Sequence, residues 1–326
     1  MTGGRRRPLP AWFSGRVAAG LAVAVVVLAV LPVALDPYTH NLLTLTFLAI
    51  SGALAWNWMG GYLGQVSFGH AAFFGFGGFV AARVLLHESI PPWVAWAAGA
   101  AAAGLFSVGA YPILRLRGPY FSIATIGVGE AVRVIASGVE FTGGSSGLRM
   151  PSGGFNFISN YYGMAVLALF TVAVVFFIHH DAFGLALDAI RQDIDAAEAL
   201  GVQSTRYKLL AHAVSAALVG AAGGLFAMNF QYISPGSVFD FRLSLSIVLM
   251  PIVGGIATLV GPVLGAVLFS YLQIKLLASP ALRDSYLFIY GGLLMAVMLF
   301  EPRGMVGLWE RLVRLRSRQR PQAAEA

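Results

Sequence analysis

The sequence predicts an all-α, polytopic membrane protein of about ten transmembrane helices, some of them discontinuous, with N and C termini cytoplasmic. Of its 326 residues 58% are hydrophobic and only 11% charged, and the mean hydropathy is +0.78. Apolar runs of about 17 to 25 residues, enough to cross a hydrocarbon core of about 30 Å, cover nearly the whole chain and leave no room for a second, soluble core. The basic residues gather in alternate loops, which sets the orientation. The organisation that follows is a basic segment at 1–16, one transmembrane domain at 17–302 and a basic tail at 303–326.

The first run, 17–35, follows Arg5, Arg6 and Arg7 and so also resembles a signal peptide. It is expected to be retained, because it continues to Leu35 and further spans follow. The next runs are 41–58 and 66–86, and the second of these overlaps GGYLGQVSFGHAAFFGFGGF at 60–79. So much glycine, with Gln65, Ser67 and His70, argues against an unbroken lipid-facing helix and for a discontinuous element lining a cavity. Spans 93–114 and 119–138 come next. The latter holds Glu130 and Arg133, three apart and able to pair on its inner face, as a structural ion pair or as part of a pathway lining. A Gly- and Ser-rich stretch at 140–160, expected outside, leads to spans 162–178 and 208–230.

Leu243 to Leu277 would be about 52 Å long as one helix, too long for one crossing. Pro251, Gly254-Gly255 and Gly261-Pro262 divide it into 243–256 and 259–278, and 286–300 completes the ten. With the N-terminus inside, Arg5, Arg6, Arg7, Arg16, Arg115, Arg117, Arg191, Arg206, Lys208 and the cluster from Arg303 to Arg320 share the cytoplasmic side, 15 of the 21 basic residues. Parity and charge therefore agree. All six tryptophans fall near predicted span ends, where indoles anchor at the headgroups.

Several chemistries are excluded or disfavoured. A chain without cysteine has no disulfide, thiolate nucleophile or zinc–cysteine site. No GxxxxGK[ST], HExxH or GxSxG occurs, so there is no P-loop for ATP and no catalytic signature; no metal site or cofactor is expected on this chain. The net charge of +7 comes largely from loops and from the tail RLVRLRSRQR, read as a topological anchor at the lipid surface and not as a nucleic-acid site. Ser67, Ala71 and Gly75, and Ala216, Gly220 and Gly224, form small faces for close helix packing. His70 reads as a hydrogen-bonded packing residue before a proton relay.

The long hydrophilic stretch HHDAFGLALDAIRQDIDAAEALGVQSTRYK, residues 179–208, stands between spans. Leu187, Ile190, Ile194, Ala197 and Leu200 recur at helical spacing, while Asp188, Arg191, Asp193, Asp195 and Glu198 fill the other face. Gly201 is the expected stop. An amphipathic helix at about 184–202, on the cytoplasmic surface, needs a partner outside the bilayer.

GQVSFGHAAFFGFGGFVA, LRGPYFSIATIGVGEAVRVI, TGGSSGL at 142–148, GLALDAIRQDIDAAEALGVQSTRYKLLAHAVSAALVGAAGGLFA, ISP at 233–235 and VGPVLGAVLFSYL together resemble the LivM-type permease subunit of branched-chain amino-acid ABC importers, in order from about Leu42 to Leu308. The resemblance implies a bacterial inner-membrane, multi-pass permease that is not itself an enzyme. It further implies a second homologous permease, two cytoplasmic ATPase subunits carrying ATP and Mg, and a periplasmic or lipid-anchored substrate-binding protein. The segment at 184–202 would be the coupling helix, with Ile190, Ile194, Ala197, Glu198, Ala199 and Gly201 as its ATPase-coupling residues. For a zwitterionic amino acid with an apolar side chain, Gly69, His70, Tyr120, Ser122, Thr125 and Glu130 are candidate pathway residues. Two departures stand out: Gly184 is followed by Leu185, Ala186, Leu187 and Asp188 where relatives carry basic residues, and Ile256-Ala257-Thr258 replaces a Gly-x-Gly-Ser type of turn. Permeases for urea, amides or aromatic acids would look similar. A self-contained secondary transporter or channel is the alternative of another class, and it predicts carboxylates or ion ligands within spans and a dispensable 179–208 loop.

Overall fold

Asp36 caps the first long helix of the computed structural model, which describes Pro32 and residues 35–87, 90–150, 157–279, 285–301 and 303–318. Its carboxylate accepts from the Tyr38 and Thr39 amides at 3.1 Å, and Pro37 takes the first helical position, where no amide is missed. Helix α1 (Pro37–Asn57) runs into a π-helical turn at Trp58–Tyr62. The helices that follow are α2 (His70–Leu85), α3 (Pro92–Gly109), α4 (Pro119–Gly138), α5 (Phe157–His180), α6 (Ala182–Gln192), α7 (Ile194–Ala199) and α8 (Ser204–Phe230). Then come α9 (Pro235–Val238), α10 (Phe241–Gly254), α11 (Val260–Ala278), α12 (Tyr286–Phe300) and α13 (Gly304–Arg318). A two-residue antiparallel bridge pairs β1 (Leu148–Arg149) with β2 (Tyr232–Ile233).

Six stretches among the described residues are long and apolar enough to cross a membrane, and the bent pair Phe288–Phe300 and Gly304–Arg311 would make seven. The helices at His70–Leu85 and Val260–Leu276 are apolar but shorter. The chain is thus an all-α, multi-pass membrane protein. The predicted first span, the segment 1–16 with Trp12, and the end of the tail lie outside the described residues.

Glycine lets α2, α3 and α8 meet at close range in the core. A Cβ on Gly77 would stand 2.5 Å from the Gly220 backbone, one on Gly99 would stand 2.5 Å from the Gly77 carbonyl oxygen, and one on Gly223 would stand 1.9 Å from that of Phe74. Dispersion between backbones at this range is what holds apolar helices together where lipid is as greasy as the side chains. The second half packs α1 against α5, α10 and α11 around Leu54, Met59, Val253 and Phe269. Here α10 and α11 form a close hairpin, since Gly254 and Gly265 leave room only for a hydrogen against Gly261 and Met250.

Tertiary contacts sort the connections to two ends. At one end Trp58 stacks on Phe183, Tyr62 meets His179, Asn57 bonds Ala257 and Thr258, and Val306 lies against Gly255. At the other, Arg83 donates to the Phe141 and Glu140 carbonyls, Tyr232 donates to the Ser146 carbonyl, and Lys275 lies over the Tyr38 ring.

Two expectations need correction. Trp56 and Trp58 are fully buried and so do not face lipid headgroups; the Trp56 indole donates to the Ser67 carbonyl at 2.7 Å. Glu130 and Arg133 do pair, the Arg133 Nε lying 2.9 and 3.0 Å from the two carboxylate oxygens. They occupy an exposed flank of α4, however, and not a face turned into this chain's own bundle.

Candidate functional site

The amphipathic segment is two helices and not one. Asp193 leaves the helical region at φ −156°, ψ 116°, ending α6, and its carboxylate caps α7 by accepting from the Asp195 and Ala196 amides at 2.9 and 3.0 Å. Helix α6 seats on the bundle through buried Gly184, Leu187 and Ile190. Gly184 is required there, because a Cβ would stand 2.4 Å from the His179 carbonyl oxygen. In α7 Ala197 is buried and Ile194 half-buried.

Gly201 does end the segment. At φ +88° it allows a Schellman closure, its own amide donating to Glu198 and the Val202 amide to Ala197 at 2.9 and 3.0 Å. That turn swings Leu200 outward to 85% exposure, so it does not belong to the buried face that its spacing suggested. Ala196, Glu198, Ala199, Leu200 and Gly201 together form an outward knob. Of the predicted coupling residues, Ile190, Ile194 and Ala197 therefore seat the segment, while Glu198, Ala199 and Gly201 face away. The Glu198 carboxylate accepts from the Ser204 hydroxyl.

Sequence reasoning missed the partner of this knob within the chain. Arg117, in the connection between α3 and α4, grips Asp195 with a two-pronged pair, Nη2 to Oδ1 at 2.9 Å and Nη1 to Oδ2 at 3.1 Å. Hydrogen bonds from Arg117, and then its charge, hold the Asp195 carboxyl below its ordinary range. No local pattern joins positions 78 apart; the only hint was that both carry charge at the predicted cytoplasmic end.

The irregular stretch 63–69 links α1 to α2, as its composition predicted. Its backbone groups are satisfied by side chains: the Ser122 hydroxyl donates to the Val66 carbonyl at 2.7 Å, and the Phe68 amide donates to Thr125 Oγ1 at 3.0 Å. Ser67, Gly69, Phe73, Phe121, Thr125 and His212 are among the residues lining an apolar cavity of about 250 Å³ beside it. Gly69 and Thr125 are thus together on a cavity wall, while Ser122 is committed to the backbone. His70 is fully buried, 3.0 Å from Ser215 Oγ, which itself donates to the Ala55 carbonyl at 2.6 Å. With the serine hydrogen engaged, the His70 Nε2 is assigned as the donor in this contact.

Tyr120 is 73% exposed on α4, away from that cavity. Helix α4 buries only Phe121, Thr125 and Ala136, and presents Ile123, Val134 and Ile135 together with the Glu130–Arg133 pair. A charged pair on a span is costly against hydrocarbon, so this flank fits water or another protein better than lipid.

Residues 38–298 match the family described as "Branched-chain amino acid transport system / permease component". The chain is 30% identical to the high-affinity branched-chain amino acid transport system permease protein LivM of Escherichia coli K12, over 90% of this chain and 76% of that protein. It is 29% identical to the protein of the same name from Salmonella typhimurium, over 86% and 72%. An autoinducer 2 import system permease protein, LsrC of Yersinia enterocolitica, is 25% identical over 62% of this chain and 57% of its own. No solved structure matches. With residues 38–298 matched and a relative 30% identical over 90% of this chain, the chain belongs to the family of branched-chain amino acid transport system permease components.

Proposed function

We propose that this chain is a transmembrane permease subunit of an ATP-binding-cassette importer for branched-chain or related hydrophobic amino acids, with ATP and Mg held by partner subunits. The observation that carries the mechanism is the α6–α7 segment, seated on the bundle by Leu187, Ile190 and Ala197 while Ala196 to Gly201 stand outward. Two cytoplasmic ATPases dock on this knob, one on this chain and one on a second homologous permease, and their closure on nucleotide shifts the helices attached to it. A periplasmic or lipid-anchored binding protein delivers cargo at the opposite end.

The topology that goes with this reading has ten spans in a bacterial inner membrane, with both termini cytoplasmic. It is supported by the sorting of contacts: Arg115, Arg117, Arg191 and Arg206 share the end of α6–α7, which suits retention of positive charge inside. The pathway runs along the exposed flank of α4, past Tyr120 and Glu130, where the second permease closes it; Gly69, Thr125 and the apolar cavity border it on this chain's side. The test is a Glu198→Lys and a Gly201→Val variant in the assembled importer. Both should insert normally yet lose ATPase co-purification and ATP-driven uptake. Uptake that persists with the ATPases absent would overturn the reading in favour of a self-contained transporter.

A further inference from the structure

Among the six stretches long and apolar enough to cross a membrane, α4 is the one least held by its own chain, with three buried side chains in twenty residues. The α2–α3–α8 cluster, in contrast, is locked by glycine contacts that leave no room for a methyl group. When a force enters the bundle, the element with least packing to lose moves first. What α4 does have, at its Pro119 end, is a set of ties to the coupling segment. From α7, Asp195 holds Arg117 two residues before the helix begins. From α6, the Arg191 side chain packs so closely on Gly64 that a Cβ there would stand 3.0 Å from it, and the same stretch is bonded through Val66 to Ser122 and through Phe68 to Thr125.

We propose that Arg117 and Asp195 are positioning residues that clamp the start of α4 to the coupling segment, so that α4 travels with α7 as one body while the α2–α3–α8 cluster keeps its internal packing. The inference rests on the ABC-permease reading above. An exposed ion pair contributes little to stability, so a clamp of this kind is visible in coupling and not in folding. Its two-pronged geometry fixes direction as well as distance, which a single lysine contact would not. The strap through Val66 and Ser122 carries the same displacement from α6 to the next turn of α4.

The experiment uses the complete importer in proteoliposomes. Arg117→Asp and Asp195→Arg singly should lower ATP-driven uptake about tenfold, within the span usual for coupling between sites, with ATPases still co-purifying. The exchange of both residues should restore it, a rescue that a merely structural surface charge would not give. A second arm exploits the absence of cysteine in this chain. Arg117→Cys with Asp195→Cys, bridged by a short bifunctional thiol reagent, should still transport, because the two sites do not move apart. Single variants that transport normally, an exchange that fails to rescue, or a bridge that arrests transport would each overturn the clamp. Failure of the unmodified chain to co-purify with ATPases would instead remove the underlying permease reading.

Discussion

Replacing Asn57 by leucine keeps the branched shape of the side chain and removes both of its polar atoms, at a position with no solvent exposure. Asn57 joins two distant parts of the chain: its Nδ2 donates to the Thr258 carbonyl and its Oδ1 accepts from the Ala257 amide, each at 2.9 Å. It thereby pins the π turn after α1 to the break between α10 and α11, where the backbone leaves helix and its groups have no ladder. Interhelical hydrogen bonds in membrane proteins average about 0.6 kcal/mol, because the unfolded reference also finds partners, so two set a floor of about 1 kcal/mol. An orphaned buried group costs about 1–3 kcal/mol, which puts the ceiling for two near 6. Ala257 and Thr258 are half-buried, so some water reaches them and the expected loss lies at about 2–3 kcal/mol. Equilibrium unfolding in mixed micelles with increasing SDS, followed by tryptophan fluorescence, measures it. A loss below about 0.5 kcal/mol would show that the break is held by other contacts and that these hydrogen bonds are dispensable.

Ala257 sits at φ +59°, a left-handed conformation that a Cβ disfavours; Ala257→Gly should stabilise the protein by about 1 kcal/mol in the same unfolding assay. Gly223→Ala forces a methyl group onto the Phe74 carbonyl and should destabilise by about 1–3 kcal/mol or more, whereas Gly127→Ala, on the open flank of α4, meets nothing and should be neutral or slightly stabilising. Because Arg117 depresses the folded-state pKa of Asp195, the pair is intact at and above the ordinary carboxylate range and is lost only as pH falls through the lowered value. Carbon-13 carboxyl titration of Asp195 should therefore give a midpoint below that of a free aspartate, and Arg117→Gln should return it to the ordinary range.

The spans were legible in the sequence because apolar run length is set by membrane thickness, and α4, α8, α10, α11 and α12 fall within a few residues of where the runs put them. The break after Gly254 was legible from Pro251 and the paired glycines, since a helix of about 52 Å has no place in a bilayer. The division of the amphipathic segment was not, although Asp193 is a good cap, because the apolar spacing of Ile190, Ile194 and Ala197 runs across it unbroken. Leu200 kept that spacing too, but the turn forced by Gly201 rotates it into solvent. Tryptophans near run ends were assigned to the headgroups, yet Trp56 bonds the 63–69 stretch and Trp58 stacks on Phe183; a run end locates the bilayer edge, not which neighbours cover it. For the candidate site, Gly69 and Thr125 were named as pathway candidates, and the structure puts both on the wall of the cavity beside 63–69. Arg117 and Asn57 were not found, since their roles depend on partners 78 and 201 positions away.

Transport itself depends on whether the energy comes from outside this chain. Proteoliposomes holding the chain with the proposed second permease and ATPases, and supplied with binding protein, should accumulate radiolabelled leucine only when ATP is present on the ATPase side. The same vesicles without ATPases should take up none. Leucine accumulation by the ATPase-free vesicles under an ion gradient would mean that the α6–α7 segment is not where the driving force enters.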